Sequence, residues 1–301
     1  MIIVTSGSRY LDIDAYASCL AYRDLLRLQG KNAVALSTAP LNESVTPHLR
    51  ALTPQLDDYT PTSEDQFIVL DVSNPDFFDP IVQREGIIEL IDHHPGFEPL
   101  WQNSSATVCI EPLGAVATII VEKYQQAGLL NQLSPAVAEL LAAAILDNTI
   151  NFLAKITTNR DRAAYRELLR VAGLGEDFAA QYFSDCQATI EQDLAQAIAN
   201  DTKYEARDYL LPDVFGQLTV WNVETILAQA PAVRAALEQF GPDWLINLIS
   251  LADGQSYILT SGDAVARAVH LLFGGQIKGN LVILDHAWLR KELARVALEY
   301  S

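Results

Sequence analysis

The stretch "GIIELIDHHPGFE", residues 86 to 98, decides how this chain is read. An apolar run ends in an acid and two adjacent histidines, Asp92, His93 and His94, in a chain of 301 residues with five histidines in all. A near-continuous apolar run of this length suits a strand covered on both faces of a parallel sheet. Side by side at a strand terminus, the two imidazoles point to opposite sides. A histidine on an apolar segment also has an ordinary job as a satisfied core residue. The triplet therefore needs partners from elsewhere in the chain before it signifies chemistry.

Working outward, the same kind of run recurs in "MIIVTSG" (1–7), "NAVALS" (32–37), "QFIVLDVS" (66–73) and "ATVCIEP" (106–112). Helical patterns come between and after them. "DAYASCLAYRDLLRLQG" (14–30) is closed by Gly30, and three long segments follow at 114–128, 134–146 and 159–173. Strand–helix alternation predicts an α/β fold, with a doubly wound, mainly parallel sheet over residues 1–187. "QATIEQDLAQAIAN" (187–200) reads as a polar connecting helix, with 188–192 as the junction. Residues 193–301 read as a smaller α/β domain, with strands in "GQLTVWNVE", "WLINLISLAD", "SYILTSG" and "GNLVILD". Two unequal lobes are expected to hold an active site in the cleft between them.

Bulk properties narrow the function. Half the residues are hydrophobic, enough for real cores. The net charge of −18 argues against a nucleic-acid polymer as partner, which needs a basic footprint. An anionic small substrate stays compatible if the acids cluster around divalent cations, because the ions become the largest local charges. "MIIVTSGS" reads as a first strand and not a signal peptide. "AVAELLAAAIL" carries a Glu and is too short to span a bilayer, so no membrane partner is expected. Three scattered cysteines, Cys19, Cys109 and Cys186, suggest buried thiols in a reducing compartment, hence a cytoplasmic protein.

In an open α/β sheet, ligands bind at the carboxyl ends of the strands. Asp12 and Asp14 follow the first strand, Asp71 follows "QFIVL", and Asp92, His93 and His94 follow "GIIEL". Asp147 ends the apolar helix "ELLAAAIL". Each has an alternative structural job: Asp12 or Asp14 as a helix N-cap, Asp71 as a turn cap, Asp147 as an exposed helix end. Together they form a sensible ligand set for two divalent metals, with hard oxygen donors and some imidazole. That mixture suits manganese better than calcium. Two such ions roughly 3.5–4 Å apart can activate a water and clamp both ends of a phosphoryl transfer.

The ordered set "LDIDA", "VLDVS", "IDHHP", "EPLGAVATII" and "AILDNTINF" resembles the DHH phosphoesterase superfamily. The resemblance is closest to the branch with a DHHA2-type second domain: manganese-dependent inorganic pyrophosphatases, exopolyphosphatases and prune-like proteins. "KITTNRD" resembles the Thr-Thr-x-x-Asp segment of that branch, and "NDTKYEA" the Asp-x-Lys element that opens its second domain. The resemblance implies that Asp71 bridges two Mn2+ ions, with Mg2+ as an alternative cation. Asp14, His93 and Asp147 would complete one site, and Asp12 would serve the other. His94 would contact phosphate or assist proton transfer, with Asp92 orienting the neighbouring imidazole. Lys203 would bind the anionic phosphate substrate as the cleft closes. A homodimer is also compatible with the resemblance.

Two departures stand out. The pyrophosphatases carry a metal-binding histidine where this chain has Ser8, in "SGSRYLDID", which weakens the first metal site. The exopolyphosphatase and prune-like group lacks that histidine too. A water or His286, in "LDHAW", could fill the place instead, and Arg9 could replace a phosphate contact. Near the C-terminus, "WLRKE" stands where a Ser-Arg-Lys-Lys-Gln phosphate clamp is expected, leaving Arg290 and Lys291 as its remnant or as a solvated helix face. The leading expectation is metal-dependent hydrolysis of pyrophosphate or short polyphosphate. The alternatives are a small phosphoester or dinucleotide phosphoesterase, and a catalytically weakened regulatory phosphate-binding protein. "FGGQIKG" (273–279) lacks the histidine of the Gly-Gly-Gly-His motif that marks the dinucleotide branches.

Overall fold

The computed structural model describes residues 1–94, 96–204 and 210–299, without the side chains of 291 and 299. In chain order the first part runs β1 (Ile2–Thr5), α1 (Ile13–Leu28), β2 (Ala33–Ala35), α2 (Pro47–Ala51), β3 (Gln66–Leu70), β4 (Ile87–Asp92) and β5 (Thr107–Ile110). Helices α3 (Val116–Gln126), α4 (Pro135–Thr149), α5 (Asn159–Ala172), α6 (Phe178–Gln192) and α7 (Leu194–Asn200) follow. The second part runs β6 (Thr202–Tyr204), β7 (Val214–Val220), α8 (Glu224–Ala228), α9 (Ala230–Glu238), β8 (Trp244–Ser250) and β9 (Gln255–Thr260). It closes with α10 (Asp263–Phe273), β10 (Gln276–Lys278), β11 (Leu281–Leu284) and α11 (Arg290–Glu299). The chain divides into two compact units, Met1–Tyr182 and Phe183–Ser301.

In the first unit five strands pair in the order β2-β1-β3-β4-β5, every neighbouring pair parallel. The chain leaves β1 for β2 on one side and returns to β3 on the other. The switch in strand order thus falls between β1 and β3, the place where open parallel sheets bind ligands. Strand residues alternate between two buried layers, as the period of two requires. One layer joins Ile3, Phe67, Val69 and Leu90 to Phe78, with Trp101 packed against it. The Trp101 indole N–H donates to the Ser73 carbonyl at 2.8 Å, which ties down the chain just after β3. Helix α1 packs against β1, β2 and β3 and against α3 and α4. Its residues Leu20, Leu25 and Leu26 are buried, each contributing about 1.5–3 kcal/mol by the area it removes from water.

The second unit holds a six-stranded sheet in the order β10-β11-β9-β8-β7-β6, in which β7 and β8 are parallel and the other pairs antiparallel. Helices α7 and α9 cover one face through Leu194, Ile198, Val233 and Leu237. Helices α10 and α11 cover the other through Val269, Leu293 and Ala297.

The single connecting helix expected at 187–200 is a pair. Helix α6 begins at Phe178 and ends at Gln192, and Asp193 breaks the run by capping α7, its side chain accepting from Gln196 N–H at 3.1 Å. An aspartate that prefers the cap to the helix interior explains the interruption. Among the described residues no helix is long and apolar enough to cross a membrane.

Candidate metal centre

Strand β4 ends at Asp92, which is fully buried. Its Oδ1 accepts from the backbone N–H of His93 (2.7 Å) and of His94 (3.1 Å) and pairs with His94 Nδ1 (2.8 Å). Burial alone would raise this carboxyl; the bonds from His94 hold it below its ordinary value. The same contact raises His94, which is 57% exposed at its side chain.

His93 turns the other way, into the protein, and is buried. Its Nδ1 lies 3.0 Å from the Leu113 carbonyl, an acceptor only, so Nδ1 carries a proton and Nε2 is the free donor atom in the neutral ring. Nε2 lies 3.3 Å from Asp71 Oδ1. The two are out of line for a hydrogen bond, and each is buried with no hydrogen-bond partner among the described residues. Burial acts to lower the pKa of His93, but the Asp71 and Asp14 carboxylates outweigh it and push it up to about 10.

Asp71 sits immediately after β3 with φ at 61°, a left-handed conformation that aspartate and asparagine tolerate better than other side chains. Its backbone N–H donates to the Ile91 carbonyl at 2.8 Å, fixing it beside β4. A carboxylate oxygen of Asp71 and one nitrogen each of His93 and His94 lie within 4.8 Å of one another.

Three more acids lie nearby: the charge of Asp71 acts on Asp12 and Asp14, and that of Asp147 acts on Asp12. Asp12 caps α1, its Oδ1 accepting from Ala15 N–H at 2.9 Å, and is pushed up to about 7 by burial and by the charge of Asp71. Asp14 is fully buried and lies well above the ordinary carboxylate range for the same two reasons. Its oxygens accept from the N–H groups of Val116 and Ala117, both at 2.8 Å, so it caps the start of α3 from a neighbouring element. Asp147, near the end of α4, accepts from the Tyr182 hydroxyl at 2.9 Å and is pushed up to about 6 by burial. Just past the end of α4, Ile150, Asn151 and Phe152 all have positive φ, a run of backbone strain.

These observations pass a test of fit for a divalent cation. Carboxylates that repel one another, a buried imidazole nitrogen and a buried carboxylate oxygen without partners are the donor set that a hard or borderline cation satisfies. Asp12 and Asp14 thus do a capping job while lying within reach of the Asp71 charge.

The same charges set a pH dependence. Asp12 and Asp147 rise from 3.8 to about 7 and about 6, so between pH 4 and 7 the folded metal-free chain holds more protons than the unfolded one. Its stability falls as pH rises through that window. His93 adds stability that is fully present below 6.5 and lost as pH rises through about 10. The metal-free chain is expected to melt several degrees higher at pH 5 than at pH 8. Added Mn2+ should remove that trend, because bound cation displaces the protons. Thermal melts at the two pH values check this; a higher metal-free melting temperature at pH 8 contradicts it.

The remaining expected residues have these surroundings. Ser8 is half-buried, its N–H donating to the Phe77 carbonyl at 2.8 Å. Arg9 is exposed, its guanidinium 5.3 Å from the centre of the Phe77 ring. In the second unit Lys203 is exposed on β6. Arg290 pairs with the Asp201 carboxylate at 2.6 Å and donates to the Phe215 carbonyl, so its guanidinium is already engaged. The Lys291 side chain lies outside the described residues. His286 is exposed and pairs with Asp285 at 2.8 Å. Sequence reasoning missed Leu113, whose carbonyl sets the His93 tautomer; a backbone atom leaves no signature in side-chain chemistry.

Residues 2–145 match the DHH family, N-terminal domain. The matched residues span the whole five-stranded sheet and end in α4, just before Asp147. Over 96% of this chain and 95% of its own length, the manganese-dependent inorganic pyrophosphatase of Bacillus subtilis is 21% identical. Among solved structures, a Methanococcus jannaschii protein assigned to the family II inorganic pyrophosphatases superposes with a TM-score of 0.62 at 20% identity, covering 99% of this chain and 100% of its own. An exopolyphosphatase-related protein of Bacteroides fragilis gives 0.54 at 16% identity, covering 99% and 92%. Both share the fold of this chain.

Proposed function

We propose that this protein is a manganese-dependent phosphohydrolase that cleaves the phosphoanhydride bond of pyrophosphate or short polyphosphate. The observation that carries the reading is the buried pair of Asp71 Oδ1 and His93 Nε2, without hydrogen-bond partners among the described residues, at the ends of β3 and β4 beside the switch point of the parallel sheet. The similarity to manganese-dependent inorganic pyrophosphatases over nearly the full chain supports it.

Asp71 and His93 would hold the cation, with Asp12, Asp14 and Asp147 supplying further carboxylates for two sites. A bound Mn2+ supplies positive charge for the phosphate oxygens and a water acidic enough to act near neutral pH. His94 anchors its Nδ1–H on Asp92 and leaves Nε2 for a substrate oxygen or for proton transfer to the leaving phosphate. Asp92 keeps that ring in orientation. Lys203, Arg9 and Lys291 are the cations proposed to meet the anionic substrate. For Arg290 the same role requires release from Asp201.

Phosphate release from pyrophosphate, tripolyphosphate and a dinucleotide, each with Mn2+, tests the substrate class. Faster turnover of tripolyphosphate assigns the exopolyphosphatase side, which Ser8 in place of histidine favours. Faster turnover of pyrophosphate means that the lost histidine is compensated. Turnover of the dinucleotide alone overturns the phosphoanhydride reading.

A further inference from the structure

The segment "KITTNRD" contains an aspartate that the proposed chemistry leaves unused, and its surroundings are unusual. Asp161 is fully buried in the first turn of α5. Its Oδ2 accepts from the N–H and hydroxyl of Thr158 at 2.7 and 2.8 Å, the reciprocal half of a capping box. Capping α5 needs nothing more. Yet Oδ2 also accepts from Gly114 N–H at 3.1 Å, and Oδ1 accepts from the Thr118 hydroxyl at 2.6 Å. Those partners lie 47 and 43 residues away in sequence. They bracket the turn that leads from β5 into α3.

That turn touches the metal centre twice. The Leu113 carbonyl fixes the tautomer of His93 and aims Nε2 at Asp71. The Val116 and Ala117 N–H groups fix both oxygens of Asp14. The turn has no side-chain cap of its own, since Ala115 stands at the N-cap of α3. Asp161 is the side chain that clamps it, at Gly114 on one side and Thr118 on the other. The clamp is close-fitting: a Cβ built on Gly114 would lie 2.4 Å from the Thr149 methyl and 2.9 Å from the Asp161 carboxylate. Thr149 in turn is two residues beyond Asp147 on α4.

We infer that Asp161 is a positioning residue of the metal centre, acting through the 113–118 turn to hold His93 and Asp14 in ligating geometry. The inference rests on the reading of these residues as cation ligands. It makes α5 part of the site by way of that turn. Partners one step behind metal ligands typically change metal affinity by about 10- to 100-fold when removed.

The test is direct Mn2+ titration of the full chain for wild type, Asp161→Asn, Thr118→Val and Thr158→Ala, with circular dichroism of each metal-free protein. Asp161→Asn keeps the shape but replaces one accepting oxygen by a donor. It should weaken Mn2+ binding by about 10- to 100-fold with the fold retained. Thr118→Val removes one link of the clamp and should weaken binding by about 10-fold, at the low end of that range. Thr158→Ala removes the α5 cap and one bond on Asp161 Oδ2 but leaves those from Gly114 and Thr118; it should lower the melting temperature and leave Mn2+ affinity within about twofold. A purely structural aspartate gives the opposite pattern, with Asp161→Asn and Thr158→Ala both less stable and both binding Mn2+ as wild type does. That result overturns the inference. Should Asp161→Asn fail to fold, Thr118→Val decides alone, and unchanged affinity there overturns it. Wild type that binds no Mn2+ overturns both this inference and the metal reading beneath it. Wild type that binds while Asp161→Asn and Thr118→Val bind equally well overturns this one only.

Discussion

Replacing Asp71 by Asn is expected to lower manganese-dependent phosphate release by about 10³-fold while the fold stays intact. The size follows from position. Asp71 is the carboxylate that stands beside both histidines, and its Oδ1 is buried without a hydrogen-bond partner among the described residues. Its charge is also the second-largest influence, after burial, on both Asp12 and Asp14. Asparagine keeps the volume and tolerates the left-handed backbone at φ 61°, so loss of activity reports on the charge and not on strain. Turnover measured beside circular dichroism separates the two. A well-folded Asp71→Asn protein with more than a tenth of wild-type turnover contradicts the proposed role.

The second large effect is on stability. Burying Asp12, Asp14 and Asp147 without a cation is costly, and their raised pKa values express that cost. Mn2+ at about 100 times its dissociation constant adds about 2.7 kcal/mol to whatever binds it only when folded. For a unit the size of Met1–Tyr182, each kcal/mol moves the melting temperature by about 2–4 °C. An upward shift of about 5–10 °C on adding Mn2+ is therefore expected, and Asp71→Asn should abolish most of it. Differential scanning calorimetry checks both. An unshifted wild-type melt would favour a regulatory phosphate-binding protein that works without the metal.

What the sequence discloses, and what it conceals, follows from how each contact is made. The strands β1, β3 and β4 are written as apolar runs, and the acids and histidines at their carboxyl ends are next to those runs in sequence. Asp71, Asp92, His93 and His94 can therefore be read together once a parallel sheet is assumed. Strands β6 and β10 cannot be read this way: Lys203, Tyr204 and all of Gln276–Lys278 are exposed, so no apolar pattern marks them. The break at Asp193 depends on a cap that competes with the helix interior, which periodicity alone does not reveal. The engagement of Arg290 with Asp201, and the clamp between Asp161 and Gly114, are long-range contacts that only the folded chain displays. Ser8 shows the limit of motif reading from the other side, since the resemblance leads one to expect a ligand at that position without naming a replacement.

The most direct test of the central claim is phosphate release from pyrophosphate and tripolyphosphate by chelator-treated protein, before and after Mn2+ is restored. Release that is absent after chelation and returns with Mn2+ is the predicted result. Release that survives chelation, or none from either substrate once Mn2+ is bound, would contradict it.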